Sequence, residues 1–192
     1  MNKLVFFASG SGSNFQAVVD AIENNEIDAV ITGLISDNEH AGALRRAENH
    51  NIEVRVIKNF GTGEATEELL SVLRNWSPDL IILAGFLKKI PDEITRLYHN
   101  KIINIHPSLL PKYGGKGFYG KHVHQAVLEA GDKTSGCTVH YVNEEYDEGK
   151  IIMQKTVDVL PDDTPETLAA RVLAEEHILL PNVIRQLLNQ TK

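Results

Sequence analysis

The sequence contains a single cysteine, Cys137, among 192 residues, which excludes an intramolecular disulfide and any zinc site built from several thiolates. It has no apolar run near the roughly 20 residues of a membrane-spanning helix, and the apolar stretch at the N-terminus is too short for a secretory signal. Basic residues are also few. Because 19 Lys and Arg face 26 Asp and Glu, the formal charge of -7 disfavours attraction to nucleic acid. We therefore expect a cytoplasmic protein that contacts small molecules but neither a membrane nor nucleic acid.

The length fits one compact domain with a single core, and we expect one domain over residues 1–192. Short apolar runs alternate with amphipathic stretches along the chain, a pattern typical of parallel strands joined by helical crossovers. Strands are predicted at residues 4–8, 29–35, 54–57, 80–84 and 102–105. Helices are predicted from about Phe15, at 41–50 and 67–76, from Pro91, and from about Pro165 after the capping candidate Thr164.

The pattern changes after Ser135. Residues 137–142 and 151–159 are two apolar runs separated only by a turn-rich connection, so we predict that they pair antiparallel. The predicted fold class is α/β, with a doubly wound, mostly parallel, Rossmann-like sheet and an antiparallel strand pair near the C-terminus.

A glycine-rich loop, Gly10-Ser11-Gly12-Ser13-Asn14, lies between the first strand and the first helix. Backbone N–H groups at a helix start are unpaired and carry the positive end of the dipole, so such a loop can bind a phosphate. A dinucleotide fingerprint would need a third glycine where Phe15 stands, and the P-loop pattern is absent, so a monophosphate fits better than NAD or ATP. The loop alone is equally compatible with a tight turn that caps the helix.

Asn104 and His106 lie where a predicted strand ends and a proline-bracketed loop begins. Alternation along the strand places both side chains on one face, at the edge of the sheet where open α/β folds bind ligands. An amide and an imidazole there can stabilise an oxyanion and transfer a proton. The alternative is a structural pair that ties down the following loop.

Other polar residues are interpreted as structural on their spacing alone. The acidic turn at residues 144–148 is typical of a solvated surface. His122 and His124 lie about 200° apart on a helix and lack a third ligand, so no metal site is expected. Cys137 and His140 alternate with apolar neighbours on a strand, which favours buried packing.

Taken in order, short motifs across essentially the whole chain resemble the glycinamide ribonucleotide formyltransferase family. The matching segments are Gly10 to Asn14, Leu83 to Phe86, Asn104 to Pro111, Gly120 to His124, Val142 to Gly149, Ala170 to Val172, and Glu176 with His177. Each segment is weakly informative by itself, and their order is specific.

The resemblance implies transfer of a formyl group from 10-formyltetrahydrofolate, a co-substrate, to the amine of glycinamide ribonucleotide in purine biosynthesis, without a metal, by a monomer or homodimer. It implies a catalytic trio of Asn104, His106 and Asp147. It also implies phosphate binding at Gly12, Ser13 and Asn14 and ribose binding by Glu176. The residues it assigns to the reduced folate are Leu87, Lys88, Lys89, Ile90, Asn143, Glu144, Glu145 and Tyr146.

This chemistry requires a neutral amine to attack the formyl carbon, giving an oxyanion next to an ammonium group. Asn104 and a protonated His106 would stabilise the oxyanion. Asp147, if close, would raise the pKa of His106, orient it and relay a proton through water.

Two segments depart from the family pattern. Residues 59–64 contain no arginine where the family commonly has one, and residues 113–120 are longer and richer in glycine than is usual. The second segment has the composition of a mobile flap. Lys116 or Lys121 could then supply the missing positive charge.

Four other functions compete with this interpretation. A formyltransferase acting on initiator tRNA would need a basic surface and normally a second domain, and a hydrolase of the same folate is expected to carry a regulatory domain. A non-catalytic nucleotide-binding module would not need the trio. An NAD-dependent dehydrogenase is disfavoured by Phe15.

Overall fold

A computed structural model describes residues 1–190, which form one seven-stranded sheet in the order β3-β2-β1-β4-β5-β6-β7. The strands are β1 (Asn2–Phe7), β2 (Ala29–Ser36), β3 (Val54–Val56), β4 (Leu80–Ala84), β5 (Ile102–His106), β6 (Thr134–Tyr141) and β7 (Ile151–Asp158). The helices are α1 (Ser13–Glu23), α2 (Gly42–Asn49), α3 (Gly63–Trp76), α4 (Asp92–Leu97), α5 (Lys121–Glu129) and α6 (Pro165–Gln190).

Strands β1 to β5 are parallel, and β6 and β7 pair antiparallel, which confirms the predicted fold class. The pairing of β5 with β6, on which the sequence made no prediction, is also antiparallel. Their register places Asn104 opposite His140 and His106 opposite Thr138. The carboxyl end of β5 is consequently a meeting point for side chains from both strands.

The core divides into two layers because successive residues of a strand face opposite sides of the sheet. Leu4 and Phe6 of β1 face the first core cluster, which includes residues of α1 and α6. Val5 and Phe7 face the second core cluster, which includes residues of α3 and α4. Among residues 1–190, no helix is long and apolar enough to cross a membrane.

Two helix starts show how local sequence sets the boundaries. The Thr167 N–H donates to Thr164 Oγ1 (3.2 Å), which confirms Thr164 as a cap of α6. Helix α3 begins earlier than predicted because Thr62 Oγ1 accepts from the Ala65 N–H (3.3 Å). Helix α5 is the helix on which His122 and His124 were placed, although its bounds were not predicted.

Gly33 of β2 provides a test of how closely Trp76, a residue of the second core cluster, packs against the sheet. A Cβ at Gly33 would lie 2.3 Å from the ring of Trp76, whose Nε1–H donates to Glu53 (3.0 Å). Since this hydrogen bond restrains the ring, we expect Gly33→Ala to lower the free energy of unfolding by about 1–3 kcal/mol. Urea denaturation will measure the change. Gly63→Ala is the control because a Cβ there meets no atom within 4 Å, and equal losses in both variants would contradict this explanation.

Candidate active site

A cavity of about 1020 Å³ opens at the carboxyl ends of the parallel strands. Its walls come from the loops after β1, β4 and β5, from residues 115–121, from the turn between β6 and β7, and from α6. This is the edge at which open α/β sheets bind ligands.

The glycine-rich loop lies in the cavity wall, as predicted. Gly12 precedes α1 with φ 74°, and no side chain caps this helix start. Helix α2 fixes the backbone of the loop through two hydrogen bonds. The Ala43 N–H donates to the Gly10 carbonyl (3.1 Å), and Arg46 Nε donates to the Ser11 carbonyl (2.9 Å). The uncapped helix start is suited to an anion.

Gly12 also has a packing role that the sequence did not indicate. A Cβ at this position would lie 2.7 Å from both Cα and Cβ of Ala43, and a positive φ is strained for any other residue type. Gly12→Val, the obvious variant for testing the loop, would therefore disturb the contact with α2 as well as any bound anion.

Asn14 and Glu176, predicted to bind the phosphate and the ribose, contact each other. Asn14 Nδ2 donates to Glu176 Oε2 (2.6 Å), and both residues are buried. Burial raises the pKa of Glu176 to about 7, although the hydrogen bond from Asn14 works in the opposite direction. Asn14 Oδ1 is buried and accepts no hydrogen bond from the described residues, so the wall of the cavity contains a free acceptor beside a carboxyl group that titrates near neutrality.

His106 is buried at the end of β5, and its tautomer follows from its contacts. Nε2 lies 2.8 Å from the Tyr113 carbonyl, which can only accept, so Nε2 carries a proton. Nδ1 lies 3.6 Å from Asp147 Oδ2. A neutral His106 thus keeps its Nδ1 lone pair on the side of Asp147.

Asp147 raises the pKa of His106 as expected, but the net pKa of this imidazole is lowered. Burial is the largest influence and lowers this pKa, and it outweighs the opposing effects of Asp147 and of the Tyr113 carbonyl. His140 lowers it slightly further. The sequence indicated the partner but not the depth at which the imidazole lies.

Asp147 is ionised despite being largely buried. Burial alone would raise the pKa of its carboxyl group, but the adjacent imidazoles of His140 and His106 and the hydrogen bond from the Gly115 N–H together lower it. The Gly115 N–H donates to Asp147 Oδ2 at 2.8 Å. A carboxylate with these contacts can stabilise an imidazolium at His106.

Asn104 joins the same cluster through His140. The Tyr141 carbonyl accepts from His140 Nδ1 (2.9 Å), which leaves His140 Nε2 to accept from Asn104 Nδ2 (3.1 Å). Asn104 Nδ2 is also 3.5 Å from Asp147 Oδ1, a long contact that a ligand can replace. The structure thus brings the predicted trio together, and it corrects the packing role of His140, which contacts two of the three residues.

Three of the predicted folate residues line the cavity: Leu87, Lys88 and Tyr146. The Leu87 side chain is 52% exposed, and the Leu87 N–H donates to Ser9 Oγ (3.1 Å). Lys88 Nζ is 4.0 Å from Asp37. The cavity therefore has an apolar rim with a cationic side chain nearby.

The other five predicted folate residues, Lys89, Ile90, Asn143, Glu144 and Glu145, are not among the lining residues. Lys89 pairs with Asp92 (2.9 Å), and Ile90 is buried in the second core cluster. In the turn between β6 and β7, Asn143 Oδ1 accepts from the Glu145 N–H (3.0 Å).

The flap at residues 113–120 borders the cavity through Lys116, Phe118 and Tyr119. The proposed role of Lys121 is weakened, because its Nζ pairs with Glu166 (2.9 Å). In the segment that lacks an arginine, the Phe60 ring contacts Phe86 with centroids 5.0 Å apart. The segment at residues 59–64 therefore supports the wall of the site with an aromatic contact.

His124 is a cavity residue that the sequence analysis interpreted as structural. Its side chain is buried, its Nδ1 has no hydrogen-bond partner among residues 1–190, and burial lowers its pKa, with a smaller effect of His106 in the same direction. The only feature of the sequence that could have placed His124 in the cavity was its position on a helix directly after a glycine-rich segment. Within the same residues, no group of three or more His, Cys, Asp or Glu side chains is arranged to hold a metal ion.

Comparison with known proteins agrees with this geometry. The chain is 43% identical over 186 residues to the chloroplastic phosphoribosylglycinamide formyltransferase of Arabidopsis thaliana, covering 95% of this chain and 64% of the relative. It is 39% identical over 188 residues to the phosphoribosylglycinamide formyltransferase of Haemophilus influenzae, covering 96% of this chain and 86% of that protein. The chain thus spans less than two thirds of the plant relative.

A solved structure extends the likeness to the fold. The crystal structure of phosphoribosylglycinamide formyltransferase from Brucella melitensis superposes with a TM-score of 0.88 at 42% identity, covering 97% of this chain and 95% of that chain. The family model described as "Formyl transferase" matches residues 2–184. Nearly the whole chain, including every residue of the Asn104, His106 and Asp147 cluster, falls within that match, and the chain belongs to the formyl transferase family.

Proposed function

We propose that this protein transfers the formyl group of 10-formyltetrahydrofolate to the amine of glycinamide ribonucleotide, a step of purine biosynthesis leading to IMP. The observation that carries the proposal is one cavity that contains both an uncapped helix start and the Asn104, His106 and Asp147 cluster. The relatives' names supply the ribonucleotide and the transferred group, and the folate donor is what the resemblance to the family implies. We further propose that one cytoplasmic domain, as a monomer or homodimer, performs the reaction on small molecules alone.

The ribonucleotide would bind through its phosphate at Gly12, Ser13 and Asn14. Its ribose hydroxyls would donate to Glu176, whose carboxyl group is already fixed by Asn14 (2.6 Å). The amine would then lie in the cavity that His106 borders, because both ends of the site open into it. The reduced folate would contact the Leu87, Lys88 and Tyr146 side of the cavity.

In the reaction, the amine nitrogen bonds to the formyl carbon and the carbonyl electrons move to oxygen. The oxyanion accepts a hydrogen bond from Asn104 Nδ2, which gives up its 3.5 Å contact with Asp147. His106 Nδ1 takes the proton of the new ammonium group, directly or through water, and Asp147 stabilises the imidazolium. The bond between the carbon and N10 of the folate then breaks, and N10 takes the proton from His106.

The lowered pKa of His106 suits this sequence of events. A neutral imidazole is the form that accepts a proton, whereas an imidazolium at rest would have no capacity to do so. The imidazolium would then exist only after attack of the amine. In this scheme His106 first accepts a proton, whereas the sequence predicted a protonated His106 that donates to the oxyanion.

The first experiment follows the loss of formyl donor and the product in a mixture of purified protein, glycinamide ribonucleotide and 10-formyltetrahydrofolate. We expect stoichiometric formation of formylated ribonucleotide and tetrahydrofolate. Release of formate without the ribonucleotide would indicate a hydrolase instead, and no turnover with both authentic substrates would contradict the proposal.

The phosphate loop can be tested at Gly10, because a Cβ there meets no protein atom within 4 Å and Gly10 lines the cavity. We expect Gly10→Val to raise KM for the ribonucleotide about tenfold by crowding the anion, with little effect on KM for the folate. Steady-state kinetics will measure both constants. Gly63→Val is the matched control away from the cavity, and an unchanged KM in folded Gly10→Val would reject this location for the phosphate.

Glu176→Gln is expected to weaken ribonucleotide binding but to increase the free energy of unfolding. A loss of binding in this variant therefore cannot be a consequence of poorer folding. The folded-state pKa of about 7 lies above the ordinary 4.5, so the wild type loses stability as the pH rises from about 4.5 to 7. The variant avoids this loss, and we expect it to be more stable by roughly 3 kcal/mol above pH 7 and nearly equal to wild type below pH 4. Its KM for the ribonucleotide should rise while folate binding is retained.

Urea denaturation across pH 4 to 8 and steady-state kinetics will measure these two effects. A variant that loses stability at high pH would show that Glu176 is ionised and satisfied in the ligand-free protein. A selective loss of folate binding would place Glu176 in the other half of the site.

His106 and Asp147 are predicted to act as one unit. Asp147→Asn should lower kcat by about a hundredfold or more, because an amide cannot stabilise the imidazolium, and His106→Ala should be at least as severe. The double variant should be much less than multiplicatively worse than the more damaged single variant. Values of kcat for the three variants, with circular dichroism to confirm folding, decide the matter, and fully multiplicative losses would mean that the two residues act independently.

A further inference from the structure

The backbone at the start of the flap holds both His106 and Asp147. The Tyr113 carbonyl accepts from His106 Nε2 (2.8 Å), and the Gly115 N–H donates to Asp147 Oδ2 (2.8 Å). These peptide groups lie two residues apart, so a shift of this segment would move both contacts together. Whatever fixes residues 113–115 therefore fixes the geometry of the pair.

Tyr113 is held in an unusual backbone conformation. Its φ of 55° lies in the left-handed region, which a bulky residue rarely adopts without support from its surroundings. Its ring packs against Phe118, with centroids 6.1 Å apart, and against the first core cluster. Its hydroxyl donates to Asp132 Oδ2 (2.9 Å). The side chain thus anchors the peptide that contacts His106.

Asp132 lies in the turn between α5 and β6, outside the cavity, and anchors the segment at two adjacent residues. Besides accepting from Tyr113, its carboxylate accepts from Lys112 Nζ at 3.2 and 3.0 Å. The hydrogen bonds from Lys112 and Tyr113 lower the pKa of Asp132, so it is charged at neutral pH. The side chain of Asp132 is 24% exposed, whereas that of Lys112 is 67% exposed, so the contact with Tyr113 is the better shielded of the two.

We propose that Asp132 is a positioning residue of the formyl-transfer site, acting through the Tyr113 hydroxyl and carbonyl to keep the His106 proton on Nε2 and the Nδ1 lone pair on the side of Asp147. The proposal rests on the proposed function for its effect on turnover. Its structural part, the tautomer of His106, is independent of any activity.

Loss of the contact between Asp132 and Tyr113 should change the tautomer and the pKa of His106 in a defined direction. If the segment moves, His106 Nε2 loses its acceptor, and the Nδ1–H tautomer becomes available because Asp147 is the remaining partner. The Tyr113 carbonyl also raises the pKa of His106, so its loss lowers that pKa further. The other ionisable groups that influence this imidazole, or are influenced by it, are Asp147, His140 and His124, and none is altered by the variants below.

Tyr113→Phe removes only the hydroxyl and retains the ring. Asp132→Ala removes the hydrogen bonds from both Lys112 and Tyr113, and Asp132→Asn keeps an acceptor of the same shape. Glu129→Gln is the matched control, since Glu129 is an exposed acid on α5 whose side chain accepts from Gln125 rather than from the flap. All four proteins are full-length.

Two measurements are made on each protein. Imidazole ¹⁵N chemical shifts of His106, assigned by comparison with His106→Ala, report its tautomer and pKa in the ligand-free protein. Steady-state kinetics report kcat and both KM values. In Tyr113→Phe and Asp132→Ala we expect a populated Nδ1–H tautomer, a lower His106 pKa and a kcat reduced about fivefold, with KM values within about twofold. For Asp132→Asn, the tautomer population, the His106 pKa and kcat should lie between those of these variants and those of the wild type. Glu129→Gln should match the wild type in all three.

Unchanged ¹⁵N shifts in Tyr113→Phe and Asp132→Ala would overturn the proposal, even if their turnover fell, because the loss would then reflect a general structural role. If Tyr113→Phe does not fold, the two Asp132 variants give the same comparison. Absence of formyl transfer by the wild type would reject the proposed function and leave the tautomer measurement as the test of the anchor.

Discussion

Asp147 belongs to the turn between β6 and β7, yet its carboxylate is contacted by side chains of β5 and β6 and by the backbone of the flap. A largely buried carboxylate is stable only when donors and nearby positive charge replace the water it has lost. Here the donors are the Gly115 N–H (2.8 Å) and the more distant Asn104 Nδ2 (3.5 Å), and the imidazoles of His106 and His140 lie within 3.6 Å of the carboxylate. The requirement to satisfy one anion thus draws four segments of the chain into a single cluster, and the shape of the cavity depends on that convergence.

The antiparallel pairing of β5 with β6 makes this convergence possible, and it is the feature of the fold that sequence reasoning did not supply. Apolar periodicity identifies strands and their flanking helices because it is a local pattern. Register and direction between β5 and β6 depend on contacts far apart in the chain, and no local pattern in β6 shows that His140 lies opposite Asn104. For this reason the long parallel part of the sheet was predictable, whereas the role of His140 was not.

Those parts of the candidate site that follow from residue types and their order along the chain were predictable. Asn104, His106 and Asp147 meet as expected, and the glycine-rich loop borders the same cavity. Burial was not predictable from one sequence, and it decides the direction of the His106 pKa and the second role of Gly12. Both differences arise from packing around the residue rather than from its chemical partners.

The two buried carboxyl groups of the cavity show how packing assigns different chemistry to the same functional group. Asp147 has enough donors to lower its pKa, whereas Glu176 has a single amide donor from Asn14, and burial raises its pKa to about 7. Because Asn14 belongs to the loop at the start of α1, an anion bound there would add negative charge next to Glu176 and favour its protonated form further. The end of the cavity near α1 is therefore able to adjust its charge to a phosphorylated ligand, while the end near β5 keeps a fixed negative charge for the imidazolium that forms during the reaction.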